Sequence, residues 1–300
     1  MTRLATVATA LLAAASCSRT PPADPAWVAE TEAWRAKRLA SLTSPDGWLT
    51  LVGLHWLAPG VQRVGSAPEM DVFLDGEEVP PHAFSLELTA DKRVLLEPVP
   101  GSGLLVDGEG ATPRELATDR GGAPSLLTLG PLRMAVIRRE EEFALRVRNP
   151  NSPVRTGFTG LQYFPLDPRY RVEARLERYP TPKSVEVAAA QGPRQRLLAP
   201  GVAHFSLHGQ SLTLQPLISS ADNPTYFFVF HDATSGRETY GAGRFLDAAA
   251  PLPGSETLVL DFNRAYTPPC AFTPYATCPL PPPENVLPVP VRAGEKGYGD

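Results

Sequence analysis

Tyr170-Arg-Val-Glu-Ala-Arg-Leu-Glu177 alternates apolar and charged residues along its whole length. In an extended chain, Tyr170, Val172, Ala174 and Leu176 share one face, and the charged residues share the other. This alternation is typical of an antiparallel strand with one buried face and one solvated face. The stretch therefore predicts a half-buried strand in a β fold.

Short strand-like runs recur on both sides of this stretch, with Gly, Pro and Asp between them. We predict further strands at residues 48–56, 84–88, 93–97, 125–129, 132–138, 143–148, 204–207, 212–217, 225–231, 240–246 and 257–262. Asp75-Gly76, within residues 72–79, predicts a hairpin turn. The 34 prolines favour short strands over long helices. The predicted fold class is all-β, an antiparallel β-sandwich or a barrel-like sheet, and no fixed-period repeat indicates a propeller or solenoid.

The N-terminus carries the features of an export signal. Arg3 is followed by an apolar run at residues 4–15, which is too short to span a bilayer, and then by Ser16-Cys17. A small residue before a cysteine is the pattern of a lipoprotein signal, in which Cys17 receives the lipid and becomes the first mature residue. An ordinary secretory signal that is cleaved nearby is the alternative. We expect an exported protein that is lipid-anchored to the cell envelope on the periplasmic face.

Three segments follow from this interpretation: a signal peptide at residues 1–16, a tether at 17–26, and a single β-rich domain at 27–300. Asp24-Pro25 predicts the start of one N-terminal helix that extends to about residue 39. The lipid anchor makes the membrane a partner. Nucleic acid is not expected as a partner, because the formal net charge is -4.

Most motifs with strong chemical meaning are missing from the sequence. It contains no Gly-x-Ser-x-Gly, Ser-x-x-Lys or His-Glu-x-x-His motif and no phosphate-binding Gly-rich loop. His204 and His208 lie about 13 Å apart if their segment is a strand, which is too far for a shared metal. We therefore predict no metal site and can name no cofactor.

Two sites in the second half carry polar residues next to apolar strands. Asp232 follows the run at residues 225–231, and a turn is the favoured interpretation there, with a functional carboxylate as the alternative. Tyr240 and Arg244 lie four residues apart in a predicted strand, and hence on one face. A partly buried Arg244 requires an anionic partner, which could be Asp261, a carboxylate on a neighbouring strand, or a ligand.

The last part of the chain replaces alternation with proline, cysteine and aromatic residues, and we expect this irregular Pro-rich segment to lie against the domain. It reads Asp261-Phe-Asn-Arg-Ala-Tyr-Thr-Pro-Pro-Cys-Ala-Phe-Thr-Pro-Tyr-Ala-Thr-Cys-Pro-Leu-Pro-Pro-Pro-Glu-Asn285, with Ala293-Gly-Glu-Lys296 beyond it. Earlier landmarks accompany it: Gly47-Trp48-Leu49, Gly53-Leu54, Phe158-x-Gly160, Asp232-x-Thr-Ser-Gly236 and Tyr240-x-x-Gly243-Arg244. With these landmarks, residues 34–296 resemble the DUF1684 family of bacterial and archaeal proteins.

The resemblance implies where a site would lie, and it implies no reaction, because the family has no assigned activity. The sequence departs from the family pattern at Thr267, where asparagine is usual, and at Val286, where arginine is usual. If Thr267 or Val286 touches a ligand, the resemblance implies that this protein binds a different ligand from other members of the family.

Cys270 and Cys278 are the cysteines that remain once Cys17 is lipidated. In an oxidising compartment such a pair favours a disulfide that closes a small loop. A metal site or two separate thiols are the alternatives.

The polar residues of the last segment are dense for so apolar a stretch, and they could simply satisfy its backbone. Our leading hypothesis is a site for a small polar or anionic molecule in a protein that could be a hydrolase-like enzyme. Its predicted catalytic residues are Asp261 and Glu284, and its predicted ligand-binding residues are Tyr240, Arg244, Asn263, Asn285 and Lys296. The alternative is a non-catalytic envelope protein that binds a macromolecule through an exposed apolar patch.

Overall fold

The computed structural model describes residues 23–220 and 223–298. Helix α1, Pro25–Thr43, comes first, and the side chain of Asp24 caps it by accepting the Ala26 N–H at 2.9 Å. The predicted signal peptide at residues 1–16 and Cys17 lie outside the described residues. In the described part of the chain, no helix has the length and apolarity needed to cross a membrane.

Two sheets form the first part of the fold, which we call the N-terminal sandwich (residues 51–148). Its strands are β1 Leu51–Trp56, β2 Gly60–Gly65, β3 Val72–Phe73, β4 Phe84–Leu88, β5 Val94–Pro98, β6 Leu105–Val106, β7 Glu109–Gly110, β8 Arg114–Glu115, β9 Leu127–Leu129, β10 Leu132–Arg139 and β11 Glu142–Arg148. One sheet has the order β1-β11-β10-β9-β6-β7, and the other has the order β3-β2-β4-β5-β8. Both sheets contribute to one apolar cluster, to which Phe84 and Leu145 belong.

A second group of strands follows the short helix α2, Pro153–Thr156. The strands are β12 Arg171–Val187, β13 Gln195–Leu207, β14 Gln210–Leu214, β15 Thr225–Phe230, β16 Arg244–Ala249 and β17 Thr257–Asp261. They form a four-stranded sheet of order β14-β13-β12-β17 and the pair β15-β16. Side chains from both, including Leu176, Phe228 and Leu260, share a separate apolar cluster.

The alternation predicted at residues 170–177 is confirmed by β12 and by Tyr170 just before it. Tyr170, Ala174 and Leu176 are buried, and the charged residues between them are exposed. Antiparallel pairing with β13 on one side and β17 on the other fixes the register. The alternation thus gives β12 one buried face and one solvated face.

Two local predictions were wrong. Residues 72–79 do not form a hairpin, because β3 pairs in parallel with β2 and the turn at Gly76 leads into a loop. Pro80 and Pro81 follow directly, and proline cannot donate to a second pairing arm. The strand predicted at residues 240–246 begins only at Arg244, after Gly243 with φ +92°. Tyr240 and Arg244 therefore do not share a strand face.

The last part of the chain, residues 262–298, is the C-terminal segment. It contains the 3-10 helices Phe262–Arg264, Pro269–Ala271 and Pro283–Asn285, and two further 3-10 helices lie earlier at Trp48–Thr50 and Pro168–Tyr170. Isolated bridges attach the segment to the strands, such as Phe245 with Tyr266 and His231 with Val286. The predicted fold class is confirmed: the protein is mostly β, with one N-terminal helix and an irregular Pro-rich end.

Candidate functional site

Arg244 is fully buried at the start of β16. Its Nη2 donates to Asp232 Oδ2 at 2.9 Å and to the carbonyl of Val291 at 2.7 Å. Its Nη1 donates to the carbonyls of Ala293 and Glu295. The anionic partner that this arginine requires is therefore Asp232, and the guanidinium fastens the C-terminal segment to the sheet.

Asp232 forms the turn after β15, which was the favoured interpretation of the sequence. Its Oδ1 accepts the N–H and the hydroxyl of Thr234 at 2.8 and 2.6 Å, and also the N–H of Val291 at 3.1 Å. Together with the bond from Arg244, these contacts use both carboxylate oxygens within the protein. Asp232 thus forms hydrogen bonds both within the turn and with the C-terminal segment.

Asp261 and Asn263 lie together and attach other parts of the chain. Asp261 Oδ2 accepts the indole N–H of Trp27 at 2.6 Å, which docks helix α1. Asn263 accepts the N–H of Asp167 and donates to its carbonyl, both at 3.0 Å. Its Nδ2 also donates to Asp261 Oδ1. The geometry gives these two side chains a positioning role toward the helix and a loop.

Asn285 is buried, whereas its neighbour Glu284 is exposed. The Asn285 side chain accepts the N–H of Gln215 at 2.7 Å and donates to the carbonyls of Gln215 and Val229 at 2.9 and 3.0 Å. It thus takes the place of a missing strand partner between β14 and β15. Glu284 forms no hydrogen bond or salt bridge with the other described residues.

Glu295 is buried and joins helix α1 to the C-terminal segment. It accepts Arg38 Nε at 3.0 Å and the N–H of Thr267 at 2.8 Å. The neighbouring Lys296 places its Nζ 5.2 Å from the centroid of the Phe164 ring. Thr267, where the resembling family has asparagine, thus contacts Glu295.

The two cysteines lie next to each other as free thiols. The Cys270 N–H donates to the Cys278 sulfur at 3.3 Å, and the Tyr240 hydroxyl donates to the Cys270 carbonyl at 3.3 Å. Burial and the adjacent Cys270 raise the pKa of Tyr240 to about 12. The disulfide stays a prediction. Within residues 23–220 and 223–298, no group of three or more His, Cys, Asp or Glu side chains is arranged to hold a metal.

One pocket does combine polar and apolar side chains in the C-terminal half, although none of the predicted site residues lines it. This aromatic pocket has a volume of about 410 Å³ and lies between helix α1 and the pair β15-β16; it is lined by Trp34, Lys37, Arg38, Ser41, Trp48, Phe227, Phe245, Asp247, Tyr266 and Pro269. A larger pocket, of about 590 Å³, lies on the N-terminal sandwich beside the charged residues Arg93 and Glu115. Those two side chains form a salt bridge with each other, so their charges are already partnered.

Asp247 interacts with other polar groups of the aromatic pocket. The Tyr266 hydroxyl donates to Asp247 Oδ2 at 3.0 Å. Asp247 is exposed by surface area, but the pocket walls displace water from its carboxyl, and this desolvation raises its pKa against the opposing effects of the Tyr266 hydrogen bond and of Arg38. Burial and the nearby Asp247 charge also raise the pKa of Tyr266. A carboxyl group that holds its proton more tightly than usual can act as an acid, a base or a hydrogen-bond donor.

Sequence reasoning missed this pocket because its walls come from distant segments. The signals were present: a charged residue, Asp247, within an apolar strand, and Lys37-Arg38 beside Trp34 on the helix. Trp34 lies far from Tyr266 in the sequence, and only the fold brings the two rings within 6.3 Å of each other, measured between their centroids.

Comparisons with known proteins agree with the resemblance noted in the sequence. The family model for DUF1684, described as a protein of unknown function, matches residues 156–296, so the landmarks at residues 47–54 lie outside the match. Curated proteins give no match. The solution NMR structure of an uncharacterised protein from Haloarcula marismortui is similar, with 39% identity over 47% of this chain and 78% of that chain, and a TM-score of 0.41. The chain belongs to the DUF1684 family.

Proposed function

We propose that the protein is an exported lipoprotein, held at the membrane through Cys17, that binds a small molecule in the aromatic pocket. Support for the anchor comes from the sequence: Arg3, the apolar run at residues 4–15, and Ser16-Cys17. A lipid on Cys17 would hold the folded chain at the periplasmic face without a spanning helix. Replacing Cys17 with alanine should release the protein from the membrane fraction, and retention there would contradict the anchor.

The observation that carries the binding proposal is the partial exposure of several aromatic rings around one space. Trp34, Trp48, Phe227 and Tyr266 all line the aromatic pocket and are only partly buried. Aromatic side chains normally bury their faces, and rings left open around a concave space are typical of a ligand site. A ligand that contains a flat ring would fit between such walls.

Charge at the rim favours a ligand that carries a negative group. Lys37 is exposed and forms no salt bridge with other described residues. Arg38, which lines the pocket, uses its Nε and Nη2 on Glu295 and the Thr267 carbonyl, and its Nη1 has no hydrogen bond among the described residues. These two cations could hold an anionic group, while Asp247 meets a hydrogen-bonding group at the other side.

Isothermal titration calorimetry with two matched probes tests the proposal. Indole-3-acetate carries a flat ring and an anion, whereas tryptamine carries the same ring and a cation. We expect indole-3-acetate to bind at least about tenfold more tightly, a difference of about 1.4 kcal/mol. Trp34→Ala should weaken both probes because it removes a wall of the pocket.

A charge reversal separates the pocket from general electrostatics. Lys37→Glu should abolish the preference for the anionic probe, whereas Lys92→Glu, on the N-terminal sandwich, should leave it unchanged. Failure of both probes to bind at millimolar concentration, or equal effects of the two reversals, would overturn the proposed site.

Acid–base catalysis in the same pocket is a second candidate, favoured by the raised pKa of Asp247. The sequence-predicted catalytic pair, Asp261 and Glu284, does not line the pocket. Turnover of 4-nitrophenyl acetate or 4-nitrophenyl phosphate should then require Asp247. Loss of turnover in Asp247→Asn with indole-3-acetate binding retained would support catalysis, whereas no turnover by the unaltered protein would leave binding as the function.

A further inference from the structure

Arg146 is a buried cation that forms no salt bridge with any residue in the described ranges. It lies on β11 with 5% of its surface exposed, and its Nε has no hydrogen-bond partner among the described residues. Burial, together with the positive charges of Arg139 and Arg148, lowers the pKa of Arg146 to about 10. A buried guanidinium beside two like charges needs a nearby negative charge.

The cysteine pair lies where that negative charge is needed. Arg146 Nη2 and Arg139 Nε both donate to the hydroxyl of Thr277, at 3.4 and 3.2 Å. The next residue is Cys278: the hydrogen bond with Cys270 and burial raise the pKa of its thiol, and the charge of Arg146 opposes that rise. Two groups can offset the charge of Arg146, namely Asp119, which is already paired with Arg139, and the Cys278 sulfur.

The two thiols have unequal environments. Cys278 is buried, whereas Cys270 is partly exposed. The hydrogen bond from the Cys278 thiol lowers the pKa of Cys270 to about 7, and the same bond, with burial, raises the pKa of Cys278. Cys270 is thus the thiol that an incoming molecule can reach, and Cys278 is the thiol shielded behind it.

We propose that Cys270 and Cys278 form a redox-active dithiol that exchanges with disulfides, and that Arg146 is the positioning residue that balances the charge of Cys278 once that thiol has lost its proton. The Cys270 thiolate attacks one sulfur of a disulfide, the bond between the two sulfurs breaks, and the departing thiolate takes a proton from solvent. Cys278 then loses its proton and attacks the Cys270 sulfur, which releases the second thiol. The external disulfide is reduced to two thiols, and the cysteine pair is oxidised to an internal disulfide.

The test uses 5,5′-dithiobis(2-nitrobenzoate) as the disulfide and the mature chain with Cys17 replaced by serine. We expect fast release of two nitrothiobenzoate anions per chain, and a final mass two hydrogens light without an adduct. Cys278→Ser should release one anion and keep the adduct. Cys270→Ser should react slowly, because its remaining thiol is buried.

The arginine has a separate readout in the pH profile of the second step, the release of the second anion. Tyr240 and Arg146 face the pair, and Arg139 and Asp119 lie next to Arg146. Arg146→Met should slow this second release near neutral pH by about tenfold and move its midpoint to higher pH, with the first release unchanged, and Arg146→Lys should restore most of the rate. Arg133→Met, a surface arginine on the same sheet paired with Asp46, is the matched control and should change neither value.

Three results would overturn the inference. One is a single slow release without formation of an internal disulfide. Another is a pair that stays oxidised in excess reduced glutathione, which would make it a structural staple. The third is an Arg146→Met protein that remains folded, as judged by circular dichroism, with an unchanged rate and midpoint of the second release.

Discussion

The N-terminal sandwich and the family region, residues 156–296, are both β structures, but their interiors differ in chemistry. The cluster inside the sandwich consists of apolar side chains such as Phe84, Leu86 and Val136. The family region also has an apolar cluster, yet it buries charged and amide side chains beside it: Asp232, Arg244, Asp261, Asn263, Asn285 and Glu295. Among the described residues, the sandwich buries two charged or amide side chains, Gln62 and Arg146, whereas the family region buries a larger set of them.

The difference follows from how each region satisfies its backbone. In the sandwich, neighbouring strands pair the buried N–H and C=O groups. The C-terminal segment has only isolated bridges and many prolines, so side chains must supply partners for its carbonyls and amides. Arg244 does so for the carbonyls of Val291 and Ala293, and Glu295 does so for the N–H of Thr267. Density of polar residues in an irregular segment is thus first a structural requirement.

Among the variants that test this comparison, loss of Arg244 should lower the free energy of unfolding the most. Arg244→Met keeps the apolar stem, but it leaves Asp232 buried without its partner and the carbonyl of Val291 without its donor. We expect the free energy of unfolding to fall by about 3–5 kcal/mol. Urea unfolding followed by tryptophan fluorescence measures the loss.

The matched control is an arginine–aspartate pair on the sandwich. Arg63 and Asp71 have side chains that are 48% and 45% exposed, so Arg63→Met should cost less than about 1 kcal/mol. If Arg244→Met fails to fold, the double variant with Asp232→Asn removes both charges and should recover part of the stability. Equal losses for Arg244→Met and Arg63→Met would show that the buried network does not stabilise the family region.

The next effect concerns the two apolar clusters. Leu86 in the sandwich and Leu260 in the family region are both fully buried, and replacing either with alanine should cost about 3 kcal/mol. We propose that residues 27–300 fold as a single domain, in which case both variants lower the midpoint of one shared transition. Differential scanning calorimetry that resolves two transitions, each shifted by only one variant, would contradict the single domain.

A smaller loss is expected at Asn285. Asn285→Ala removes the bonds to the N–H of Gln215 and to the carbonyls of Gln215 and Val229, which should cost about 2 kcal/mol. Asn149→Ala, at the end of the sandwich, removes one exposed bond to the Asn151 N–H and should cost less than about 1 kcal/mol. Urea midpoints that change equally would remove the distinction between the two regions.

Periodicity predicted most strands because burial on one face leaves its mark on the sequence, as β12 shows. The Pro-rich end was also predicted as irregular, since proline has no donor for a ladder. The hairpin predicted at residues 72–79 does not form, because β3 pairs in parallel with the earlier strand β2 and not with a strand that follows the turn. Turn residues specify a local bend, but they do not specify the partner of the next segment.

The candidate site was harder to predict than the fold. A buried arginine has the same sequence signature whether it holds a ligand or the carbonyls of its own chain. Arg244 binds carbonyls of its own chain, within residues 291–295, and no spacing in the sequence predicts these contacts. The aromatic pocket joins Trp34 of helix α1 to Tyr266 of the C-terminal segment, and only tertiary packing creates it.

The smallest change in stability is expected at two carboxylates, one from each region, whose pKa values shift in opposite directions when the protein folds. Neighbouring groups in the pocket displace water from the Asp247 carboxyl and raise its pKa, although the residue stays exposed, so the folded protein binds this proton more tightly than the unfolded chain does. Its stabilising contribution is present below the unfolded pKa of about 3.9 and is lost as the pH rises through the folded pKa. The backbone hydrogen bond from Arg63 lowers the pKa of Asp71, so its contribution is present above the unfolded pKa and is lost as the pH falls. Urea midpoints between about pH 3 and pH 7 should therefore show Asp247→Asn gaining on the unaltered protein as the pH rises, and Asp71→Asn losing, both by small amounts because these side chains are exposed. Parallel profiles would mean that the pocket does not hold the Asp247 proton, and with it the acid–base candidate would fail.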